Sequence, residues 1–155
     1  MKKVYKFIQK EDVYIQTNIL DRAFEEEFLR IEDNGKITIK ANPQRGYAWD
    51  GCSPKKNFID IIWGTPDGRF DLITEKQITY FASMIHDALY QYSRQISLSR
   101  KEVDTLFKLN LQKSDFILAN IYFLFVRTFG GFFGKFTVKE SITNITITEF
   151  SWLKN

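Results

Sequence analysis

The sequence predicts an α+β fold in which a small antiparallel sheet packs against about three helices. β-Branched and aromatic residues with a hairpin turn fill residues 1–41, and apolar residues recur every three or four positions over 73–133. In the tail, 134–155, isoleucines alternate with threonines, which predicts a terminal strand. A length of 155 residues matches one domain, so we expect 1–155 to fold as a single domain.

Four strands are predicted in the first part. Two are rich in β-branched and aromatic residues, Val4–Ile8 and Val13–Thr17, and two flank a turn, Glu27–Ile31 and Lys36–Lys40. Between the last two lies Asn34-Gly35, a strong hairpin signal because a type I′ turn needs a positive φ at both central residues. Ile37 and Ile39 share one face of the returning strand. We therefore expect an antiparallel sheet with one buried face.

Residues 42–72 are predicted to form a long loop that carries the site. Ala41–Asp71 contains all three prolines and four of the eight glycines. Within it, Phe58–Trp63 is apolar and fits a short helix or a strand. A loop of this length in a compact domain is usually functional or contains further secondary structure.

Three helices are predicted over 73–133, each from a capping residue. Thr74 with Gln77 forms a capping-box pattern that predicts a helix to about Arg94. Ser99 with Glu102 forms a second, which predicts a helix to about Lys113. The core stripe of the first helix is then Ile78, Phe81, Ala82, Ile85, Leu89 and Tyr92.

A third helix is predicted from Ser114, as its cap, to about Phe129. It includes the longest apolar run, Phe116–Val126, which spans only about half a hydrocarbon core as a helix. We therefore expect a buried core helix and no membrane span, with a membrane-surface helix as the alternative. Polar residues interrupt the first 12 positions, so no signal peptide is expected.

Three totals exclude classes of site. One histidine excludes a His₂ or His₃ metal centre within one chain, and one cysteine excludes an intramolecular disulfide. We expect no cofactor and no metal, although carboxylates such as Asp50, Asp87 and Asp104 could bind Mg²⁺ or Ca²⁺ if the fold joined them. The net charge is only +3 without a run of five basic residues, so no nucleic-acid binding is expected.

The first candidate site is the segment Tyr47–Pro54, in which Asp50, Cys52 and Ser53 surround a glycine. Its ordinary interpretation is an Asp-Gly turn whose side chains bind their own backbone. A dyad of Cys52 with His86 would be the minimum set for a thiolate nucleophile, but a small cysteine that fills space in a turn is the more common case.

The second candidate is His86-Asp87 with Tyr90 on the first predicted helix. His86 and Tyr90 form an i,i+4 pair along the edge of the apolar stripe, whereas Asp87 points away from the core. Asp87 is therefore a poor direct partner of His86. The ordinary interpretation is a boundary histidine that binds a loop carbonyl.

Two arginines complete the candidates. Arg100 and Asp104 are four residues apart on the second helix, a spacing typical of a surface ion pair. Arg127 lies among aromatic residues and needs a carboxylate to offset its desolvation. Asp50, Asp87 and Asp104 are the possible partners.

These residues fall into a series: Trp49–Pro54, then His86-Asp87-x-x-Tyr90, then Arg100-x-x-x-Asp104-x-x-Phe107, then Tyr122 and Arg127-x-Phe129-Gly130. The series resembles the domain-of-unknown-function family 1353 of bacteriophages and prophages, over roughly residues 40–131. The resemblance implies a phage context but no reaction. It also implies that eight residues share one site or polar network: Asp50, Ser53, His86, Asp87, Tyr90, Arg100, Asp104 and Arg127.

Two functions follow as hypotheses. The favoured one is a virion-associated or assembly protein with a buried Asp/His/Arg network, acting in the virion or in the cytoplasm of the infected cell. Other phage proteins or a second copy would be its partners, and the surplus of 15 Phe, 7 Tyr and 3 Trp would contribute to that interface. The alternative is a small hydrolase or ligand-binding domain for a cell-wall fragment or nucleotide. In it His86 is the general acid or base, oriented by Asp50 or Asp87.

Overall fold

A computed structural model describes residues 7–49, 70–132 and 134–153, and these confirm the α+β class. The strands are β1 (Phe7–Gln9), β2 (Val13–Thr17), β3 (Phe24–Glu25), β4 (Leu29–Ile31), β5 (Lys36–Ile39), β6 (Tyr47–Trp49) and β7 (Ile147–Phe150). The helices are α1 (Tyr80–Gln91), α2 (Arg100–Lys113) and α3 (Ala119–Phe129). Short 3-10 turns follow at Gly130–Phe132 and Ser151–Leu153.

The strands form two antiparallel sheets. The larger has the order β3-β4-β5-β2-β7, so the terminal strand predicted in the tail is confirmed at the edge beside β2. The smaller pairs β1 with β6. The strand β6 lies inside the segment predicted as a loop, because its three residues are too short to show an alternating pattern.

The predicted hairpin joins β4 to β5, but its turn type differs from the prediction. Gly35 has a positive φ of 84°, whereas Asn34 does not, so the type I′ turn is wrong. The Gly35 amide donates to the Glu32 carbonyl at 2.9 Å, and the Glu32 amide donates to Lys36. A type I turn followed by a left-handed glycine also matches strand twist, so only Gly35 needs the unusual φ.

The capping box predicted at Thr74 does not begin a helix. α1 begins at Tyr80 with Thr79 as its N-cap. The Asp71 side chain instead accepts the amides of Ile73 and Thr74, at 2.8 and 2.9 Å. Glu75 has a φ of 54°, which is incompatible with a helix running through this position.

Ser114 is likewise misassigned as the start of the third helix. It is the C-cap of α2, and its amide donates to the Asn110 carbonyl. Asp115 then takes a left-handed φ of 53°, which ends α2, and α3 begins only at Ala119. The capping box at Ser99, by contrast, is complete and starts α2 as predicted.

The core has two parts. In the first, the inner face of the larger sheet packs on α1 and on the first half of α2, and Ile37 and Ile39 are buried there as predicted. The second lies among the three helices and consists of Ala82, Phe107, Leu111, Ala119, Tyr122 and Val126. The helices therefore contact one another directly on the side that carries the candidate residues. Among the described residues, no helix is long and apolar enough to cross a membrane.

Candidate functional site

The centre of the candidate site is Asp104, on α2, whose side chain is 0% exposed. Its Oδ1 accepts the Tyr90 hydroxyl at 2.7 Å and lies 3.0 Å from Nε2 of His86. Its Oδ2 accepts Nη1 of Arg127 at 2.9 Å. We call these four residues the Asp104 junction. One carboxylate on α2 thus binds side chains from both α1 and α3.

His86 and Tyr90 reach Asp104 together because the i,i+4 spacing places both on the same side of α1. Their ring centroids are 4.2 Å apart, and the imidazole also lies 4.6 Å from the Phe107 ring. A carboxylate paired with a guanidinium only accepts hydrogen bonds, so Nε2 of His86 carries the proton. The His86 side chain is 15% exposed.

Arg127 supplies the charge that balances the buried carboxylate. Of the three acids that the sequence offered it, the structure joins it to Asp104. Its side chain is 31% exposed, so the guanidinium lies between the junction and solvent. Burial of Asp104 without this partner would carry the full desolvation cost of a lone carboxylate.

Tyr90 is held as a neutral donor. Burial raises the pKa of its phenol, and the negative charge and hydrogen bond of Asp104 raise it further. The hydroxyl lies against the 3-10 turn after α3, where a Cβ at Gly130 would overlap it. A glycine at this position therefore permits the close approach that brings Tyr90 to Asp104.

The surface ion pair expected between Arg100 and Asp104 is wrong, because Asp104 is fully buried. The carboxylate is turned toward α1 and α3. Arg100 is partly exposed, and its guanidinium lies against Gly131, where a Cβ would stand 2.9 Å from Nη1. Arg100 therefore belongs to the rim of the site.

Asp87 lies on the exposed side of α1, as its helical position predicts. It accepts the hydroxyl of Tyr47 at 3.0 Å and so joins α1 to β6. Asp50, Cys52 and Ser53 lie outside the described residues, and the proposed contacts of Asp50 or Cys52 with His86 stay predictions. Of the eight residues in the predicted network, four meet in the Asp104 junction.

Sequence reasoning missed the second role of Glu102. This residue was predicted as part of a capping box, and Oε2 does accept the Ser99 amide at 2.7 Å. Its Oε1 also accepts the amide of Ile142 at 3.0 Å, and the side chain is completely buried. Ser99 in turn bonds Ser141 through their hydroxyls at 2.6 Å. The start of α2 therefore holds the tail, a contact for which the sequence has no local signal.

A separate concavity of about 550 Å³ lies between the second half of α2 and β7. Half of its lining residues are apolar, and Lys113 and Glu149 are its charged residues. The Glu149 carboxylate accepts the Tyr14 hydroxyl, and the Lys113 ammonium faces the Phe150 ring. None of the Asp104 junction residues lines this concavity, so it is a distinct feature of the surface.

In the part of the chain that the structure describes, no three His, Cys, Asp or Glu side chains are grouped in a way that could hold a metal ion. No protein-family model, curated protein or solved structure matches this chain. The resemblance to family 1353 therefore stays a prediction.

Proposed function

We propose that this chain is a bacteriophage virion-associated or assembly protein in which the Asp104 junction is a structural lock. The observation that supports it best is the fully buried carboxylate of Asp104, with both oxygens bonded to side chains of the neighbouring helices. The hydrogen bonds of a carboxylate in this state stabilise the fold. It has no surface with which to contact a substrate.

The lock works because a shift of any of the three helices breaks a charged hydrogen bond. α1 contributes two of the bonds and α3 the third. Loss of one partner of a buried ion pair typically costs about 3–5 kcal/mol, since the other charge stays buried without compensation. The junction therefore favours one arrangement of the helices, which a protein needs if it presents a defined surface to a partner.

A surface of that kind lies around α3. Large apolar side chains there are mostly in solvent, with exposed fractions of 86% for Ile117, 65% for Leu124 and 81% for Phe132. We call these three residues the α3 apolar surface. The three residues lie on or directly beside one helix, and exposed apolar surface is typical of interaction sites when it forms a patch. They support a role in contact with another phage protein or with a second copy.

The experiment compares three variants in a phage that encodes the chain. Leu124→Asp should leave folding unchanged but remove the chain from purified particles, as measured by immunoblot. His86→Ala should destabilise the fold and reduce incorporation with it. His86→Gln should restore both, because an amide can donate to Asp104 without being able to titrate. Full incorporation of the Leu124→Asp variant would contradict the proposed interface.

The alternative is a small hydrolase or ligand-binding domain, and one observation favours it. His86 is partly exposed while Nε2 is held by a buried carboxylate, the arrangement that orients a general base in many hydrolases. The substrate would be a cell-wall fragment or a nucleotide. In this case His86→Gln keeps its fold but loses turnover. A folded, particle-bound His86→Gln variant with full biological activity would exclude the enzyme.

A further inference from the structure

Among the residues that the structure describes, the charges around the Asp104 junction do not cancel. Asp104 is the carboxylate bonded to Arg127 and His86, and Arg100 adds a second guanidinium beside them. Arg100 forms no ion pair with any residue in the described ranges. Among the described residues, one carboxylate and two guanidiniums therefore lie at this site.

The two guanidiniums belong to the same small region. Tyr90 lies against Gly130 and Arg100 against Gly131, two successive residues of one 3-10 turn. Arg127 is on the last turn of α3, which leads directly into this turn. The positive charges of Arg100 and Arg127 both act on the Tyr90 phenol, and oppose the rise of its pKa. Arg100 thus lies against the turn that follows α3, and Arg127 lies on the last turn of α3 itself.

We propose that the rim of the Asp104 junction binds the phosphate group of a small ligand, with Arg100 and Arg127 as its anchors. A guanidinium has five N–H donors, so Arg127 retains donors after one is given to Asp104. Its 31% exposure leaves them accessible from solvent. Two guanidiniums can contact different oxygens of one phosphate, each through charge-assisted hydrogen bonds.

This inference goes beyond the proposed function and does not rest on it. A virion protein could use the rim to bind the phosphate of a host molecule, and an enzyme could use it to bind its substrate. Its test uses binding in solution, whereas the proposed function is tested by particle incorporation. Failure of either one therefore leaves the other unaffected.

The experiment is calorimetric titration of the full chain with inorganic phosphate at pH 7, with ionic strength held constant by chloride. We expect saturable binding to the wild type and a loss of affinity of about tenfold or more for Arg100→Gln, since charge-assisted bonds are lost. Arg127 is left unchanged, because its loss would unfold the junction. Thermal unfolding without phosphate checks that Arg100→Gln folds normally.

The matched control is Arg30→Gln. Arg30 lies on β4 between the buried residues Leu29 and Ile31, so it points away from the core, and it pairs with Glu25. The Arg30→Gln variant loses the same charge from the other face of the sheet, and it should bind phosphate as tightly as the wild type does. The proposal is wrong if the wild type shows no saturable binding or if acetate binds as tightly as phosphate. It is also wrong if Arg100→Gln weakens binding no more than Arg30→Gln does.

Discussion

The guanidinium of Arg127, near the end of α3, donates to the carboxylate of Asp104 in α2 at 2.9 Å, and this carboxylate has no exposed surface. The two residues are 23 positions apart, and the pair holds the third helix against the second. The same carboxylate also binds two side chains of α1. All three helices therefore meet at one buried negative charge, beside the apolar core that they share.

Asp104→Asn should destabilise the protein by about 3–5 kcal/mol, because the amide has the same shape but leaves Arg127 without its counter-charge. Urea unfolding followed by circular dichroism measures the loss. The control is Glu25→Gln, which breaks the exposed pairs with Arg30 and Lys40 and should leave the unfolding midpoint almost unchanged. Equal small effects of both variants would show that the junction is not a lock.

Gly130→Ala should destabilise the protein by about 1–3 kcal/mol, because the new methyl group overlaps the Tyr90 hydroxyl. The backbone there is ordinary right-handed helix, with φ −59°, so an alanine is strained only by this contact. In a Tyr90→Phe background the penalty should largely disappear, since the hydroxyl is gone. A double-mutant cycle measures the difference, and additive penalties would show that the methyl group strains something other than Tyr90.

Glu102→Gln should cost about 1.5–3 kcal/mol, because the amide can accept only one of the two backbone amides that the carboxylate binds. The loss of stability should affect the tail as well as α2. Amide hydrogen exchange at Ile142 is expected to become faster in the Glu102→Gln variant. In the control variant Lys101→Gln, whose residue lies on the exposed side of the same turn, the Ile142 amide should exchange at the wild-type rate. Unchanged protection of Ile142 would mean that other contacts hold the tail.

Stability should fall at alkaline pH through Tyr90. Its pKa is raised in the folded state by burial and by Asp104, whereas in the unfolded chain it is about 10. A raised folded-state pKa means that the contribution is complete below pH 10 and is lost as the pH rises above it. Urea unfolding between pH 8 and pH 11 should therefore show a shallower decline for Tyr90→Phe, by up to about 1.4 kcal/mol per pH unit. Identical slopes would show that Tyr90 ionises as freely in the fold as in the unfolded chain.

Local patterns predicted the elements whose stabilising contacts are also local. Ser99 and Glu102 are three residues apart, and both bonds of their capping box form as expected. Ile37 and Ile39 alternate with polar residues and are buried. The patterns at Thr74 and Ser114 contain the same residue types but do not begin a helix. In each case the next residue, Glu75 or Asp115, has a left-handed backbone, which prevents a helix from continuing through it.

The α+β class, the β4–β5 hairpin, the terminal strand and the shared side of His86 and Tyr90 on α1 could be predicted, because they follow from periodicity and short-range geometry. Three features emerged only from the packing of the helices: which acid Arg127 binds, that Asp104 is buried, and that Glu102 holds the tail. Those contacts join residues 23 and 40 positions apart. Such pairs form only when whole helices pack, and no local spacing encodes which distant carboxylate meets which donor.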